Sequence, residues 1–372
     1  MRTVTRCAVW LLCLLLLPCP LAAEADADAP AIRAEAAVLL EAGSGRVLFA
    51  QNADASLPMA STTKIMTALL AIESGRLSEP VTVSETAART EGSSLYLKAD
   101  ETQPLIDLVY GLMLQSGNDA AVAIAEHLSG SVEAFAERMN EKAAALQLDG
   151  THFVNPNGLH DSEHYTTAKS LARLAAFAMQ NETFRAVVSA VRHVTDGGSV
   201  RRVFRNKNRM LTEYDGCTGI KTGYTKAAGK CLVFSAKRNG MELIGVLLND
   251  PAMWDDAKAL LDYGFSAYEL RSAAGAFEVF TVNVLHGEKN ALPAAPKHDI
   301  LYPIRTDGSE SLSIETSLYG EVSAPMEAGD PVGRITVYVN GEAVCEVPVT
   351  ALETVRKKSL LRCIERILCG MS

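Results

Sequence analysis

The sequence predicts a mixed α/β protein in which a largely antiparallel sheet is covered by helices, followed by a small all-β domain and a C-terminal amphipathic helix. Three observations predict it. Strand signals stand at both ends of the first domain with helical runs inserted between them, which is not the alternation of a βαβ repeat. Beyond about Ala273 the composition turns to alternating valine-rich pieces separated by Gly, Pro and Asn turns. The last stretch, ALETVRKKSLLRCIERILCGMS, interleaves cations with an apolar face. With 372 residues, 48% hydrophobic and 21% charged, the chain has room for two domains and a sizeable core.

The chain opens on a targeting signal. Arg2 and Arg6 precede the apolar run CAVWLLCLLLLPCPLAA, and no acidic residue appears before Glu24. Small residues around Ala23-Glu24-Ala25 offer a cleavage site, so residues 1–25 are expected to leave and the mature chain to begin near Asp26. An uncleaved anchor is the alternative, for which the run is short. Proline just before Cys19 argues against lipid attachment there.

Residues 26–272 read as the first domain. After a polar Ala/Asp linker, AEAAVLLEAGSGRVLFAQN forms two short strands around the turn Ala42-Gly43-Ser44-Gly45. From Ser61 to Glu73 nearly every residue is apolar or small, with Ile65, Met66, Leu69, Leu70 and Ile72 spread around the helical wheel, so this helix is expected to be buried on all sides. Further helical runs are PLIDLVYGLMLQS, AAVAIAEHLSG, VEAFAERMNEKAAALQL and TTAKSLARLAAFAMQN. Strands return in GCTGIKTGYT, GKCLVFSAK and MELIGVLLND, before the helix MWDDAKALLDYGFSAYEL.

Residues 273–350 read as the β-domain, with no evident chemistry, and 351–372 as a basic amphipathic helix. Leu360, Ile364, Ile367, Leu368 and Met371 share one face, while Arg356, Lys357, Lys358, Arg362 and Arg366 are interleaved. At the end of an exported chain this suits a membrane interface with anionic headgroups. Packing on the β-domain or on a second subunit is the alternative.

A net charge of −9 argues against nucleic acid as a partner, because phosphate binding needs a concentrated basic face. The one basic cluster evident in the sequence lies at the extreme C-terminus. Of eight cysteines, Cys7, Cys13 and Cys19 leave with the leader; the odd remainder excludes a fully paired framework, and none has zinc-ligand spacing. Cys217 and Cys231 flank a predicted hairpin and either pair across it or are two small buried hydrophobes.

Ser61 and Lys64 stand three apart on the predicted buried helix, so hydroxyl and amine share a face. A serine is a weak nucleophile unless a neighbour takes its proton, and a lysine does so only when neutral. Burial and a second nearby cation both depress a lysine pKa, and the apolar context of Lys64 supplies the first. The helix N-terminus adds backbone N–H groups for an oxyanion. Taken alone, Ser61 and Lys64 read as a helix N-cap with a snorkelling lysine. Two further constellations bear on the choice. Ser116-Gly117-Asn118 falls between two helical runs, where a hydroxyl and an amide project from a short turn. Lys221-Thr222-Gly223 lies in a predicted strand, offering a cation and a hydroxyl to a carboxylate, while Gly223 lets an extended substrate approach the strand edge.

In this order the three elements resemble the S-x-x-K, S-x-N and K-T-G set of penicillin-binding proteins and class A β-lactamases. SLPMASTTKIMTALLAIE, MLQSGNDAAVAIAEHLSGS, HFVNPNGLHDSEHYTTAKSLARL and GIKTGYTKAAGKCLVFSAKRNGMELIGVLL are similar to the low-molecular-mass D-alanyl-D-alanine carboxypeptidases, the peptidase S11-like family. The likeness runs from about Ala34 to Glu269, and the β-domain and terminal helix match that family's architecture. The resemblance implies a β-lactamase/transpeptidase-like fold. Gly117 stands where class A β-lactamases carry aspartate, and no E-x-x-x-N-like deacylation motif follows; both favour the carboxypeptidase.

Carried onto this sequence, the resemblance implies that Ser61 forms the acyl-enzyme and Lys64 is its base. Ser116 passes a proton to the departing D-alanine, and Asn118 holds the peptide. Lys221 and Thr222 bind the terminal carboxylate, Lys221 also keeping Lys64 neutral, and the N–H groups of Ser61 and Tyr224 form the oxyanion hole. The implied substrate is the peptidoglycan stem pentapeptide ending in D-Ala-D-Ala, met at the outer face of the cytoplasmic membrane. β-Lactams are the implied covalent inhibitors, and no metal or cofactor is required.

Three rivals remain. A β-lactamase shares the acylation, and a non-catalytic peptidoglycan-binding module shares the fold, although the intact Ser61, Lys64, Ser116 and Lys221 argue against the module. A zinc peptidase is spelled by HDSEH, His160 to His164, which needs both histidines on one helix face. NPNGLHDSEH is rich in turn formers, however, and the next helix is expected to start near Thr166 or Thr167. His127, His152, His193, His286 and His298 show no ligand pattern.

Overall fold

The computed structural model describes residues 28–274 and 278–358, and the chain divides into two units that meet between Ala267 and Tyr268. In the first, strands β1 (Ala36–Glu41), β2 (Val47–Gln51), β3 (Cys217–Thr225), β4 (Gly229–Arg238) and β5 (Met241–Leu248) form one antiparallel sheet in the order β2-β1-β5-β4-β3. Every residue of β1 and of β5 is buried, because both faces of these central strands are covered, and their sequences are accordingly continuous apolar runs rather than alternating ones. The helices that cover them come from the long insertion between β2 and β3 and from the segment after β5. β3, which carries Lys221-Thr222-Gly223, is an edge strand.

Among the described residues there are seven helices of eight or more residues: α1 (Lys64–Glu73), α2 (Leu105–Leu114), α3 (Asn118–Ser129), α4 (Val132–Ala145), α5 (Ala168–Met179), α6 (Glu182–Ser189) and α7 (Met253–Ala267); six follow the predicted runs, and α6 lies beyond them. All positions of α1 from Lys64 to Ile72 are buried, since α2, α3, α4, α5 and α6 surround it. The all-round apolar wheel of its sequence is the signature of that central place. α5 and α7 pack on the sheet. Thr167 caps α5 by accepting from Ser170 N, so the helix starts where its sequence predicts.

In the second unit a six-stranded sheet runs in the order Leu312–Leu318, Pro331–Val339, Glu342–Ala351, Ala291–Pro296, Phe280–Leu285, Glu321–Ser323, around a core that includes Val282, Val332, Ile335, Val337 and Val349. A separate pair joins Tyr268–Ala274 to Ile300–Arg305.

Three expectations change. The units meet at Ala267/Tyr268 rather than at 272/273, because Tyr268–Ala274, read as the end of a helix and its tail, is extended and pairs in the second unit. Residues 351–358 continue the β-domain instead of opening a helix: Val355 bridges to Met326 and Lys357 to Gly287. The remainder of the predicted amphipathic helix, like the leader, lies outside the described residues; among those described, no helix is long and apolar enough to cross a membrane. Finally, Cys217 stands opposite Ala236 and Cys231 opposite Gly223, at different levels of the hairpin, and both are free thiols. Burial pushes each of them up to about 11.

Candidate active site

Ser61 sits in a short 3-10 turn, Ala60–Thr63, that runs directly into α1. It is not the helix cap. Thr63 holds the cap position and makes no capping bond there, while Ser61 Oγ lies 2.9 Å from Lys64 Nζ. The turn is strained, with Ala60 in the left-handed region at φ 49°. It is also braced. Thr63 Oγ1 donates to Ala60 O (2.8 Å) and accepts from His164 Nε2 (2.7 Å), and Val154 N donates to His164 Nδ1 (3.1 Å), which places the ring proton on Nε2. Burial pushes His164 down to about 4 and so keeps it neutral. Gly158 lies over the same carbonyl, where a Cβ would overlap Ala60 O.

Lys64 is fully buried, and its Nζ also reaches Asn118 Oδ1 (2.8 Å) and the carbonyl of Asn157 (2.5 Å). Asn118 is oriented by its Nδ2, which donates to Glu91 O (2.6 Å). Two of the three contacts of Lys64 are therefore acceptors without a proton to give. A neutral amine has two N–H groups and one lone pair; the N–H groups go to these acceptors, and the lone pair is left facing the Ser61 hydroxyl. Burial first, and then the charge of Lys221, hold Lys64 well below the usual lysine range; Asp119 opposes them and Lys207 adds to them. Lys221, also buried, is itself pushed down to about 7 by burial and by Lys207.

Ser116 occupies the turn between α2 and α3 at φ 64°, nearly buried, and Gly117 is the N-cap of α3. At Gly117 a Cβ would lie 2.6 Å from Leu95 Cγ and 2.8 Å from Asp119 Oδ1, so no side chain fits. Asp119, entirely buried, receives Leu95 N, Leu97 N and Ser94 Oγ, and holds the neighbouring loop against this turn. Gly223 also makes a close approach that its sequence does not show. Its bare Cα face lies against the serine turn, where a Cβ would be 3.1 Å from Ser61 N and 3.2 Å from Met59 O. The glycine thus brings the edge strand against the backbone of Ser61.

The result is an open cleft of about 480 Å³. Of the expected residues, Ser61, Ser116, Thr222, Gly223 and Tyr224 line it. Lys64, Asn118 and Lys221 stand behind this wall, and Lys221 Nζ donates to Thr222 O (2.8 Å) instead of projecting into the cleft. The cations in the cleft wall are Lys207 and Lys230, with Met253 and Trp254 from α7 adding apolar surface. Among the described residues, no group of three His, Cys, Asp or Glu side chains is placed to hold a metal. His160 is exposed in a loop and His164 faces Thr63, so the two do not share a helix face.

A family model described as peptidase S11, D-alanyl-D-alanine carboxypeptidase, matches residues 23–252. The chain belongs to this family. The carboxypeptidase also matches, over residues 268–357, the model of the C-terminal domain of penicillin-binding protein 5. It is 32% identical to D-alanyl-D-alanine carboxypeptidase DacF of Bacillus subtilis, over 90% of this chain and 89% of that one. It is likewise 32% identical to DacC of Escherichia coli, over 91% and 88%. The crystal structure of penicillin-binding protein 5 from Haemophilus influenzae superposes with a TM-score of 0.74 at 28% identity, covering 88% of this chain and 99% of that one. The enzyme is a peptidase that removes D-alanine from D-Ala-D-Ala termini.

For this carboxypeptidase, Gly117→Asp, which restores the residue of class A β-lactamases, is expected to destabilise by about 1–3 kcal/mol through overpacking on Leu95. A thermal melt checks it; an unchanged melting temperature would contradict the contact. Sequence reasoning missed His164, which it read only within a zinc motif, and Asn157 and Gly158, which it read only as turn formers. It also missed Lys207, embedded in FRNKNR with no spacing relation to Ser61 or Lys221. No local signal marks these residues, because each acts across the fold.

Proposed function

We propose that Ser61 is the nucleophile and Lys64 its base in an acyl-serine cycle on peptidoglycan stem pentapeptides, carried out by an exported enzyme on the outer side of the cytoplasmic membrane. The observation that carries this reading is the placement of Lys64: fully buried, 2.9 Å from Ser61 Oγ, with both other contacts acceptors. As Ser61 Oγ bonds to the carbonyl carbon of the penultimate D-alanine, its proton passes to Lys64 Nζ. The N–H groups of Ser61 and Tyr224 receive the oxyanion. The C–N bond then breaks, and the proton travels through Ser116 to the leaving nitrogen, releasing free D-alanine. Water next attacks the ester, gives a proton to Lys64, and leaves the tetrapeptide carboxylate as Ser61 regains its hydrogen.

The substrate enters as an extended chain along the open edge of β3. Its terminal carboxylate meets Thr222 and the positive potential of Lys221 and Lys207, and Asn118 orients the peptide. A β-lactam enters by the same route and leaves a slowly hydrolysed acyl-serine. Purified enzyme is expected to release D-alanine from a pentapeptide and to take up fluorescent penicillin on the peptide containing Ser61. A label on any other residue, or rapid penicillin turnover with the pentapeptide untouched, would replace this reading with the β-lactamase one.

A further inference from the structure

Between Val191 and Arg209 the chain carries six basic residues and one acidic residue, within a protein of net charge −9. The structure turns most of this charge to one side. Arg192–Val194 pairs with Val203–Arg205 as an antiparallel hairpin, and exposure then alternates residue by residue: Arg201, Val203, Arg205, Lys207 and Arg209 face solvent, while Arg202, Phe204, Asn206 and Asn208 turn inward. Val203–Arg205 is extended, with residues on one face about 7 Å apart, and the exposed Arg201 and Lys207 continue the same alternation on either side of it, so these cations follow one another along the chain as a row. Arg202 pairs with Glu101 and Arg209 with Glu213. Among the described residues no carboxylate pairs with Arg192, Arg201, Arg205 or Lys207.

Two features set this row apart from an ordinary solvated face. Arg192 and Arg205 stand directly opposite one another across the hairpin, an arrangement of like charges that costs stability. The row also ends in the substrate cleft, because Lys207 lines it. We propose that the hairpin is a secondary binding surface for the acidic part of the peptidoglycan chain, taking free carboxylates on the stem peptides beyond the D-Ala-D-Ala end that Ser61 cleaves. This rests on the peptidoglycan reading of the cleft. A linear row of cations continuous with that cleft fits an extended polyanion already held at Ser61; a flat anionic lipid surface requires no such continuity.

The test uses the full-length enzyme and Arg192→Gln/Arg201→Gln/Arg205→Gln, which leaves every cleft residue in place. On diacetyl-L-lysyl-D-alanyl-D-alanine, whose only carboxylate is terminal, both proteins are expected to give the same kcat/KM. On uncross-linked pentapeptide-bearing peptidoglycan the triple variant is expected to lose about tenfold at low salt, and that difference should close as salt screens the charges. The loss should be absent on the same polymer with its stem carboxylates amidated. Equal losses on tripeptide and polymer, or no loss on the polymer, would overturn the proposal. So would lost binding to phosphatidylglycerol vesicles with polymer hydrolysis intact, which assigns the row to a lipid surface. Sedimentation with insoluble peptidoglycan needs no turnover and reads the row separately from the chemistry. If the native enzyme sediments but releases no D-alanine from the tripeptide, the cleft reading fails and the binding surface stands.

Discussion

Lys64→Met is expected to leave a folded protein that neither releases D-alanine nor takes up penicillin at a measurable rate. The side chain at this position has no solvent contact, and its Nζ lies 2.9 Å from Ser61 Oγ. Without it the hydroxyl has no group to receive its proton, and loss of a positioned general base costs about 10²-fold to 10⁴-fold in rate. Methionine matches the apolar stem but leaves Asn118 Oδ1 and Asn157 O without their donor, at about 1–3 kcal/mol for each group left buried and unpaired. The relief of a desolvated amine offsets part of that. The acylation rate by penicillin, read alongside a thermal melt, separates the two effects. A variant that acylates within tenfold of the native rate would show that Lys64 is not the base.

The pH dependence of kcat/KM forms the second large effect, and Lys207 is the handle on it. The proposed cycle requires Lys64 neutral, so activity is expected to rise as pH increases through the depressed pKa of Lys64. The proposed cycle also draws on the charge of Lys221 for the terminal carboxylate, so activity is expected to fall as pH increases through about 7, where burial and Lys207 place that group. A neighbouring positive charge disfavours the protonated form, so removing it raises both pKa values. In Lys207→Gln the whole profile is therefore expected to move to higher pH, with both limbs displaced in the same direction. Lys207 is exposed, so the displacement should shrink in added salt. A profile that stays fixed, or limbs that move apart, would detach Lys207 from the two lysines.

Much of this was legible in the residues. The wheel of α1 announced a helix buried on all sides, and burial is what a neutral lysine requires. Ser116-Gly117-Asn118 and Lys221-Thr222-Gly223 were found by type and order, and the fold brings the turn and the strand to one cleft. Gly117 was noticed as a departure from the β-lactamase pattern, yet its reason, the Leu95 side chain pressed against it, comes from a loop more than twenty residues away in sequence. The basic row was invisible for a related cause. Its arginines are scattered at intervals along the sequence, and only the hairpin register, Arg192 opposite Arg205, together with the alternation that follows, places them on one side.

The sequence by itself determined the identities that chemistry demands and the local order around each: a serine and a lysine one helical turn apart, a hydroxyl and an amide in a turn between two helices, a glycine in a strand. It determined them because helical and strand periodicities act over a few residues and leave a readable pattern. Tertiary structure alone decided which groups set the proton balance. Lys64 is held down by burial first and then by Lys221, with Lys207 adding to them, and the serine turn is braced through Thr63 by His164, 101 positions further along the chain. Electrostatic fields and buried hydrogen bonds act through space over several ångströms without regard to separation along the chain, so no periodicity records them.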